Sequence, residues 1–491
     1  MKTHFSLAAL LLAATPAFAA NCESLVKLPL PAATITQAQT IAADQWPAST
    51  TGPKGAHIPF CRVAATLTPT SDSDIKIEVW MPVSGWNGNF QAVGNGGWSG
   101  SLNYTAMATA IAGGYATSST DTGHTGGSAS FALGHPEKLI DFAYRSEHEM
   151  TVQAKTILTA FYGKAVHLSY WNGCSAGGKQ GLMEAQRYPE DFNGIVAGSP
   201  AANWTGRAAQ AIWVAQAVHL DDASYIPPEK YPAIHRAVLD ACDRLDGVED
   251  GVLEDPSRCH FDPKVIECKA ADSTDCLTAA QVEAARKIYA PSTNPRTGQK
   301  LYPGLAPGSE AGWRTWGGPQ PLSIAGDYFR FVLFQNPNWD FRTLNFDQDI
   351  ARAEQLEGSR LNATNPNLRP FFTHGGKLIQ YHGWSDPQIS PGNSVEYFAS
   401  VRKQLGDVQE WYRLFMVPGM AHCGGGDGTS TFDMMAALQR WVEEQHPPDR
   451  IEASRVRNGK SDRTRPLCPY PQTAVYKGSG STDDGANFTC R

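Results

Sequence analysis

Beyond its first twenty residues the sequence has no apolar run of the ~20 residues that a membrane-spanning helix needs, so no membrane anchor is expected. It has no basic stripe either. Its 41 basic and 48 acidic residues are mixed along the chain, and the formal net charge of −7 excludes nucleic acid as an expected partner. No internal repeat and no low-complexity tract is present, which excludes a repeat architecture. The one short apolar run, Phe5 to Ala14, follows Lys2 and precedes Ala17-Phe18-Ala19, the small-residue pattern after which signal peptidase cuts. A signal peptide over residues 1–19 is therefore expected, and with it export to the periplasm or the medium. The leader has a bacterial look, so the sequons at Asn103, Asn203, Asn362 and Asn487 are expected to carry no glycan.

Removing 19 of 491 residues leaves 472, more than one compact core usually holds, which predicts a large domain with an insertion or a second domain. Ten cysteines in an exported chain read as five disulfides. Cys242 with Cys259, Cys268 with Cys276, and Cys468 with Cys490 would each close a short loop, leaving Cys22, Cys61, Cys174 and Cys423. If the N-terminal pair joins itself, Cys174 is left for Cys423. Aromatics make up 10% of the chain, with 13 Trp, a hint of a site that handles rings or sugars.

Between Phe60 and Gly97 the runs CRVAATLTP, IKIEVWMPV and NFQAVGNGG read as opening strands. A further strand is expected within 113–124, a single long helix over 137–163, a buried strand in AVHLSYWNG, a helix from Lys179 to Gln186, and a strand over 192–200. This alternation predicts an α/β fold with parallel strands. Residues 203–369 change in texture, with proline-rich turns and four cysteines, and read as an inserted domain. Strands resume at 377–386 and 411–423, followed by an amphipathic helix in TFDMMAALQRWVEEQ. The expected division is thus 20–202 with 370–491 for the sheet domain and 203–369 for the insertion.

The stretch WNGCSAGGKQG places Ser175 between Gly173 and Gly177, the G-x-S-x-G pattern of a sharp strand-to-helix turn that lifts a serine hydroxyl towards solvent. A serine needs an imidazole to take its proton, and the imidazole needs a carboxylate to fix its tautomer. Asp386 and His422 follow in the chain order Ser, Asp, His, each in a loop after a strand; His382 and His124 are the competing histidines. Bringing Ser175 to His422 also brings their neighbours Cys174 and Cys423 close, which makes a disulfide between them geometrically reasonable. A thiol nucleophile at Cys174 loses ground in an oxidising compartment. For the oxyanion, the backbone N–H of Ala176 and that of Gly96 or Gly97, in VGNGGWSG, are the expected donors; the alternative for the glycines is an ordinary tight turn. In the insertion, CDRLDGVEDGV offers Asp243, Asp246 and Asp250 as hard oxygen ligands for Ca²⁺, though without EF-hand spacing, and a solvated acidic turn is the alternative.

With Ser175, Asp386 and His422 flanked by Cys174 and Cys423, the sequence resembles the tannase and feruloyl esterase family of α/β-hydrolases, marked by a CS-D-HC arrangement. That family includes feruloyl esterases, tannases and the mono(2-hydroxyethyl) terephthalate hydrolase. GNGGWSG, GYATSSTDTGH, GCSAGGKQG, CDRLDGVEDGV, FQNPNWDF, YHGWSDPQISP and VPGMAHCGGG all look like family segments. The resemblance implies an α/β-hydrolase fold whose insertion is a lid with structural Ca²⁺, held by the side chains of Asp243, Asp246 and Asp250 and the carbonyls of Val248 and Val252. It also implies the pairing Cys22–Cys61, Cys174–Cys423, Cys242–Cys259, Cys268–Cys276 and Cys468–Cys490.

The expected activity is hydrolysis of a small aromatic ester, feruloyl, hydroxycinnamoyl or galloyl, free or attached to plant polysaccharide or polyphenol. A tannase proper and a mono(2-hydroxyethyl) terephthalate-type hydrolase are the alternatives, with a peptidase or a silent binding protein on the same fold behind them. Trp313, Trp316, Tyr328 and Phe331 are candidates to stack on the acid ring, or equally to form lid core.

Overall fold

The computed structural model describes residues 21–46, 57–319 and 323–491; the leader expected over 1–19 lies outside the described residues. Among the described residues seven strands precede the insertion: β1 (Ala33–Ile41), β2 (Phe60–Leu67), β3 (Ile75–Pro82), β4 (Phe90–Val93), β5 (Ala116–Thr120), β6 (Ser169–Cys174) and β7 (Gly194–Gly198). From its described residues the insertion contributes a small hairpin, β8 (Ser292–Thr293) with β9 (Lys300–Tyr302). After it come β10 (Lys377–Gly383) and β11 (Tyr412–Val417), which rejoin the main sheet. The order across nine strands is β1-β2-β3-β5-β4-β6-β7-β10-β11. From β5 to β11 every neighbour is parallel, whereas β1, β2, β3 and β5 pair antiparallel. The expectation of a parallel sheet thus holds for its second part only. The short connection between β2 and β3, residues 68–74, permits an antiparallel hairpin, while parallel neighbours need helical crossovers.

Alternation along the central strands sorts side chains to two faces. Trp171 and Ile195 meet the buried apolar side chains of α3 (Ser146–Tyr162) and α4 (Ala176–Arg187), whereas Tyr170 and Val196 meet Leu438 and Trp441 of the helix Met434–Glu444. Each large apolar side chain so buried contributes about 1.5–3 kcal/mol. The long helix expected over 137–163 is divided: α2 (Pro136–Ile140 here, preceded by α1, Tyr104–Ala112) gives way to a π-helical turn at Asp141–Arg145 before α3 begins. In that widened turn the buried Asp141 carboxylate accepts from Arg145 and Ser73, and Phe142 packs on Trp98 with ring centroids 4.6 Å apart. Apolar periodicity does not register one extra residue per turn.

Residues 203–369 are mainly helical, with α5 (Trp204–His219), α6 (Tyr231–Cys242) and α7 (Ala279–Tyr289) packed around a separate apolar cluster. Beyond the main sheet lie two small antiparallel pairs that the sequence reading did not anticipate, β12 (Ile451–Arg457) with β13 (Lys460–Leu467) and β14 (Ala474–Tyr476) with β15 (Phe488–Cys490). The five disulfides join Cys22–Cys61, Cys174–Cys423, Cys242–Cys259, Cys268–Cys276 and Cys468–Cys490. Among the described residues no helix is long and apolar enough to cross a membrane. Three of the sequon amides are engaged: Asn103 donates to the Gly94 carbonyl, Asn362 to Thr205 and Asn487 to the Ser481 carbonyl.

Candidate active site

β6 ends at Cys174 and α4 starts at Ala176, so Ser175 alone turns the chain, with φ 65° and ψ −122°. A non-glycine residue held there stores of order 1–3 kcal/mol of strain. The glycines around it are required by contact: a Cβ on Gly173 would lie 2.4 Å from the Gly177 carbonyl oxygen, and one on Gly177 would lie 3.0 Å from the Asn95 carbonyl oxygen. The serine turn therefore rests directly on the loop that carries Gly96 and Gly97.

Ser175, Asp386 and His422, far apart in sequence, meet in one hydrogen-bonded chain. The Ser175 hydroxyl lies 2.9 Å from His422 Nε2, and His422 Nδ1 lies 2.7 Å from Asp386 Oδ2. Asp386 sits in the turn after β10, fully buried, and its Oδ1 accepts from the backbone N–H groups of Gln388 and Ile389 at 2.8 and 3.0 Å. Burial alone would push the Asp386 carboxyl up, but His422 and His382 beside it outweigh that and hold it well below the usual carboxylate range. His422 lies in the loop after β11, half-buried and facing the cleft. The disulfide Cys174–Cys423, with Cα atoms 6.0 Å apart, joins the residue before the serine to the residue after the histidine.

The competing histidines are occupied elsewhere. His382 is fully buried, with Nδ1 at 2.6 Å from the Ser394 hydroxyl and Nε2 between the Ile389 carbonyl and Asp386 Oδ2. His124 stacks on Phe131, and its Nε2 lies 2.8 Å from the Trp98 carbonyl.

Ser175 and His422 open onto a cleft of about 510 Å³ that Gly96, Gly97, Trp204, Arg207 and Ile324 also line. Ala176 is the first residue of α4, where backbone N–H groups have no intrahelical acceptor. The loop bearing Gly96 and Gly97 is fastened to α4 by Gln180: its Oε1 accepts from Asn95 N at 3.2 Å, and its amide donates to Asn95 Oδ1 at 2.8 Å and to the buried Glu147. Of the four aromatics singled out from sequence, Trp313, Trp316 and Tyr328 are buried in the insertion's core, Phe331 packs against that core, and none lines the cleft. Trp204, Ile324 and Arg207 do so instead. Only Trp204 had a sequence signal, as an aromatic one residue after a helix-capping Asn203.

The acidic loop of the insertion is ordered. Asp243 Oδ2 accepts from Gly251 N, Asp246 from Val248 N and Glu254 N, and Asp250 is paired with Arg463 and Arg465 of β13. A cavity of about 20 Å³ is lined by Asp246, Val248, Asp250 and Val252. Asp243 Oδ1 is buried with no hydrogen-bond partner. Burial, with the neighbouring aspartates, pushes the Asp246 carboxyl up. An orphaned carboxylate oxygen among crowded aspartates suits a divalent cation better than a solvated turn. Two further groups of the described residues bring potential metal-binding atoms together, His148 with Glu184 and Asp191, and Cys268 with Asp272 and Cys276, the latter two sulfurs being joined in a disulfide.

A model of the family described as Tannase and feruloyl esterase matches residues 61–491. The chain is 37% identical to an uncharacterized esterase of Xanthomonas campestris, over 100% of this chain and 94% of the relative. It is 36% identical to "Probable feruloyl esterase B-2" of Aspergillus terreus, over 88% of this chain and 86% of the relative. Among solved structures it is similar to feruloyl esterase B from Aspergillus oryzae, with a TM-score of 0.90 at 32% identity, covering 96% of this chain and 99% of that one. Tannin acyl hydrolase from Aspergillus niger superposes with a TM-score of 0.81 at 25% identity, over 96% and 94% of the two chains.

Proposed function

Since the chain belongs to the tannase and feruloyl esterase family of α/β-hydrolases, we propose that it is an exported serine esterase acting on esters of aromatic acids, feruloyl, hydroxycinnamoyl or galloyl, through Ser175, His422 and Asp386. That it is a carboxylic ester hydrolase follows from the family; the residues and the acyl group are our reading. The observation that carries it is the unbroken chain from Asp386 through His422 to Ser175. In this reading His422 Nε2 takes the Ser175 proton as Oγ attacks the ester carbonyl, then donates it to the leaving alcohol. Asp386 keeps the other proton on Nδ1 and stabilises the imidazolium. The N–H of Ala176 and that of Gly96 or Gly97 hold the oxyanion, and a water activated by His422 releases the acid. Residues 203–369 act as a lid, contributing Trp204, Arg207 and Ile324 to the cleft.

The test is labelling with a serine-directed phosphonate, together with hydrolysis of methyl ferulate, methyl gallate and mono(2-hydroxyethyl) terephthalate. A single adduct on the peptide bearing Ser175 and turnover of at least one ester are expected; an adduct elsewhere, or a preference for aminoacyl amides over all three esters, would overturn the reading.

Gln180 sets the position of the oxyanion loop in this scheme. Gln180→Leu is expected to lower kcat by about 10- to 100-fold, short of the 10²–10³ that follows outright loss of a donor, with little change in KM. Steady-state kinetics on methyl ferulate check this.

We also assign structural Ca²⁺ to the side chains of Asp243, Asp246 and Asp250 and the carbonyls of Val248 and Val252, where its charge would neutralise the crowded carboxylates. The loop touches β13 through Arg463 and Arg465, so the ion would tie the insertion to the C-terminal strands rather than act on substrate. Calcium at 100 times its dissociation constant should stabilise the fold by about 2.7 kcal/mol. Thermal unfolding with and without chelator reads this, and Asp243→Asn should remove the difference.

A further inference from the structure

Arg207 lies in the first turns of α5, 4% exposed, on the wall of the cleft that holds Ser175 and His422. Its guanidinium is fixed from behind. Nε donates to the Gln388 carbonyl at 3.2 Å, and the group lies 5.3 Å from the ring centre of Trp316 and 6.0 Å from that of Trp204. Among the described residues no carboxylate comes within 4.0 Å of it, and its two terminal nitrogens have no protein acceptor. Among the described residues the carboxylate whose charge acts on it is Asp386, which is already engaged by His422, His382 and two backbone N–H groups.

A buried cation without a counter-charge is costly to keep. The neighbouring groups do not relieve it: the Tyr302 hydroxyl, close enough to act electrostatically on Arg207, and the Trp316 indole N–H are both buried without hydrogen-bond partners. Around this spot the acceptor the guanidinium has is the Gln388 carbonyl, taken by Nε, and among the described residues no carboxylate reaches its terminal nitrogens. A planar guanidinium with its Nη1–Nη2 edge free matches a carboxylate, whose two oxygens accept one N–H each in parallel.

We propose that Arg207 forms a carboxylate-binding subsite within the cleft and makes the enzyme selective for aromatic esters that carry a free carboxylate besides the ester group. This deepens the esterase reading and rests on it. The carboxylate belongs either to the acid ring or to the alcohol, and the two sources present the same chemistry to the guanidinium.

Two pairs of esters that differ only in charge separate these sources: methyl 4-carboxybenzoate against methyl 4-carbamoylbenzoate for the acid side, and feruloyl glycolate against feruloyl glycolamide for the alcohol side. The wild type is expected to favour the charged member of one pair by at least about tenfold in kcat/KM, chiefly through KM, and the pair that responds names the side. Arg207→Leu should bring that ratio close to one, and Arg207→Lys should keep part of it. Calorimetric binding of the same four compounds to Ser175→Ala gives the ratio without turnover, so a protein that hydrolyses none of them still answers the question while the esterase reading fails. Equal handling of both members in both pairs, or a ratio that survives Arg207→Leu in a folded protein, would show that the guanidinium only braces Gln388 and the tryptophans.

Discussion

Ser175→Ala should lower kcat for ester hydrolysis by about 10⁵- to 10⁶-fold while the protein unfolds at nearly the temperature of the wild type. The two halves of this expectation have separate causes. Activity falls because the attacking oxygen is gone, and the adjacent sulfur of Cys174 cannot replace it while bonded to Cys423. Stability changes little because alanine keeps the same strained φ of 65° and loses only the hydrogen bond to His422. Donors facing the oxyanion remain in the variant, so a residual rate of about 10³–10⁴ over the uncatalysed reaction should persist. Stopped assays with chromatographic separation of the product acid, run beside thermal unfolding, measure both. Turnover within tenfold of the wild type would remove Ser175 from the mechanism.

Asp386→Asn should cost about 10⁴ in kcat, with KM nearly unchanged. The backbone N–H groups of Gln388 and Ile389 reach Oδ1, so an asparagine oxygen satisfies them and turns its NH₂ towards His422 Nδ1. An NH₂ there favours the tautomer with its proton on Nε2, and such an imidazole cannot accept a proton from Ser175. His382 shares Oδ2, so the variant should also lose some stability. Because the native carboxyl is held below its usual range, Asp386 stays ionised throughout neutral and mildly acidic pH, and the loss should be the same across that range. Activity of Asp386→Asn close to that of the wild type would transfer the orienting role elsewhere.

The catalytic candidates were readable from local pattern because each sits where local chemistry is special. Gly173 and Gly177 mark a turn that leaves no room for a side chain at the first and little at the second, Asp386 precedes a proline at a strand end, and His422 adjoins Cys423. The middle of the sheet was equally plain, since buried parallel strands are short apolar runs. The π-helical turn at Asp141–Arg145 and the small strands after residue 450 left no comparable mark. The walls of the cleft were left open between two readings for a related reason. Composition picked out Trp313, Trp316 and Tyr328 as large aromatics, but an aromatic buried in the insertion's core and one facing a ligand look alike in sequence.

By itself the sequence determined the fold class, the serine turn, the chain order of its partners and the even count of cysteines. These depend on backbone demands and on chemistry that act within a few residues of one another. Only the tertiary structure decided which side chains share the cleft. Among the described residues no carboxylate pairs with Arg207 at its wall, Gln180 of α4 grips Asn95 of the loop after β4, and Asp243 Oδ1 is left without a partner. Each of these is fixed by packing between segments tens to hundreds of residues apart, where burial removes water and makes an unpaired polar group costly. No short stretch of sequence records that condition, since it belongs to the pair and not to either residue.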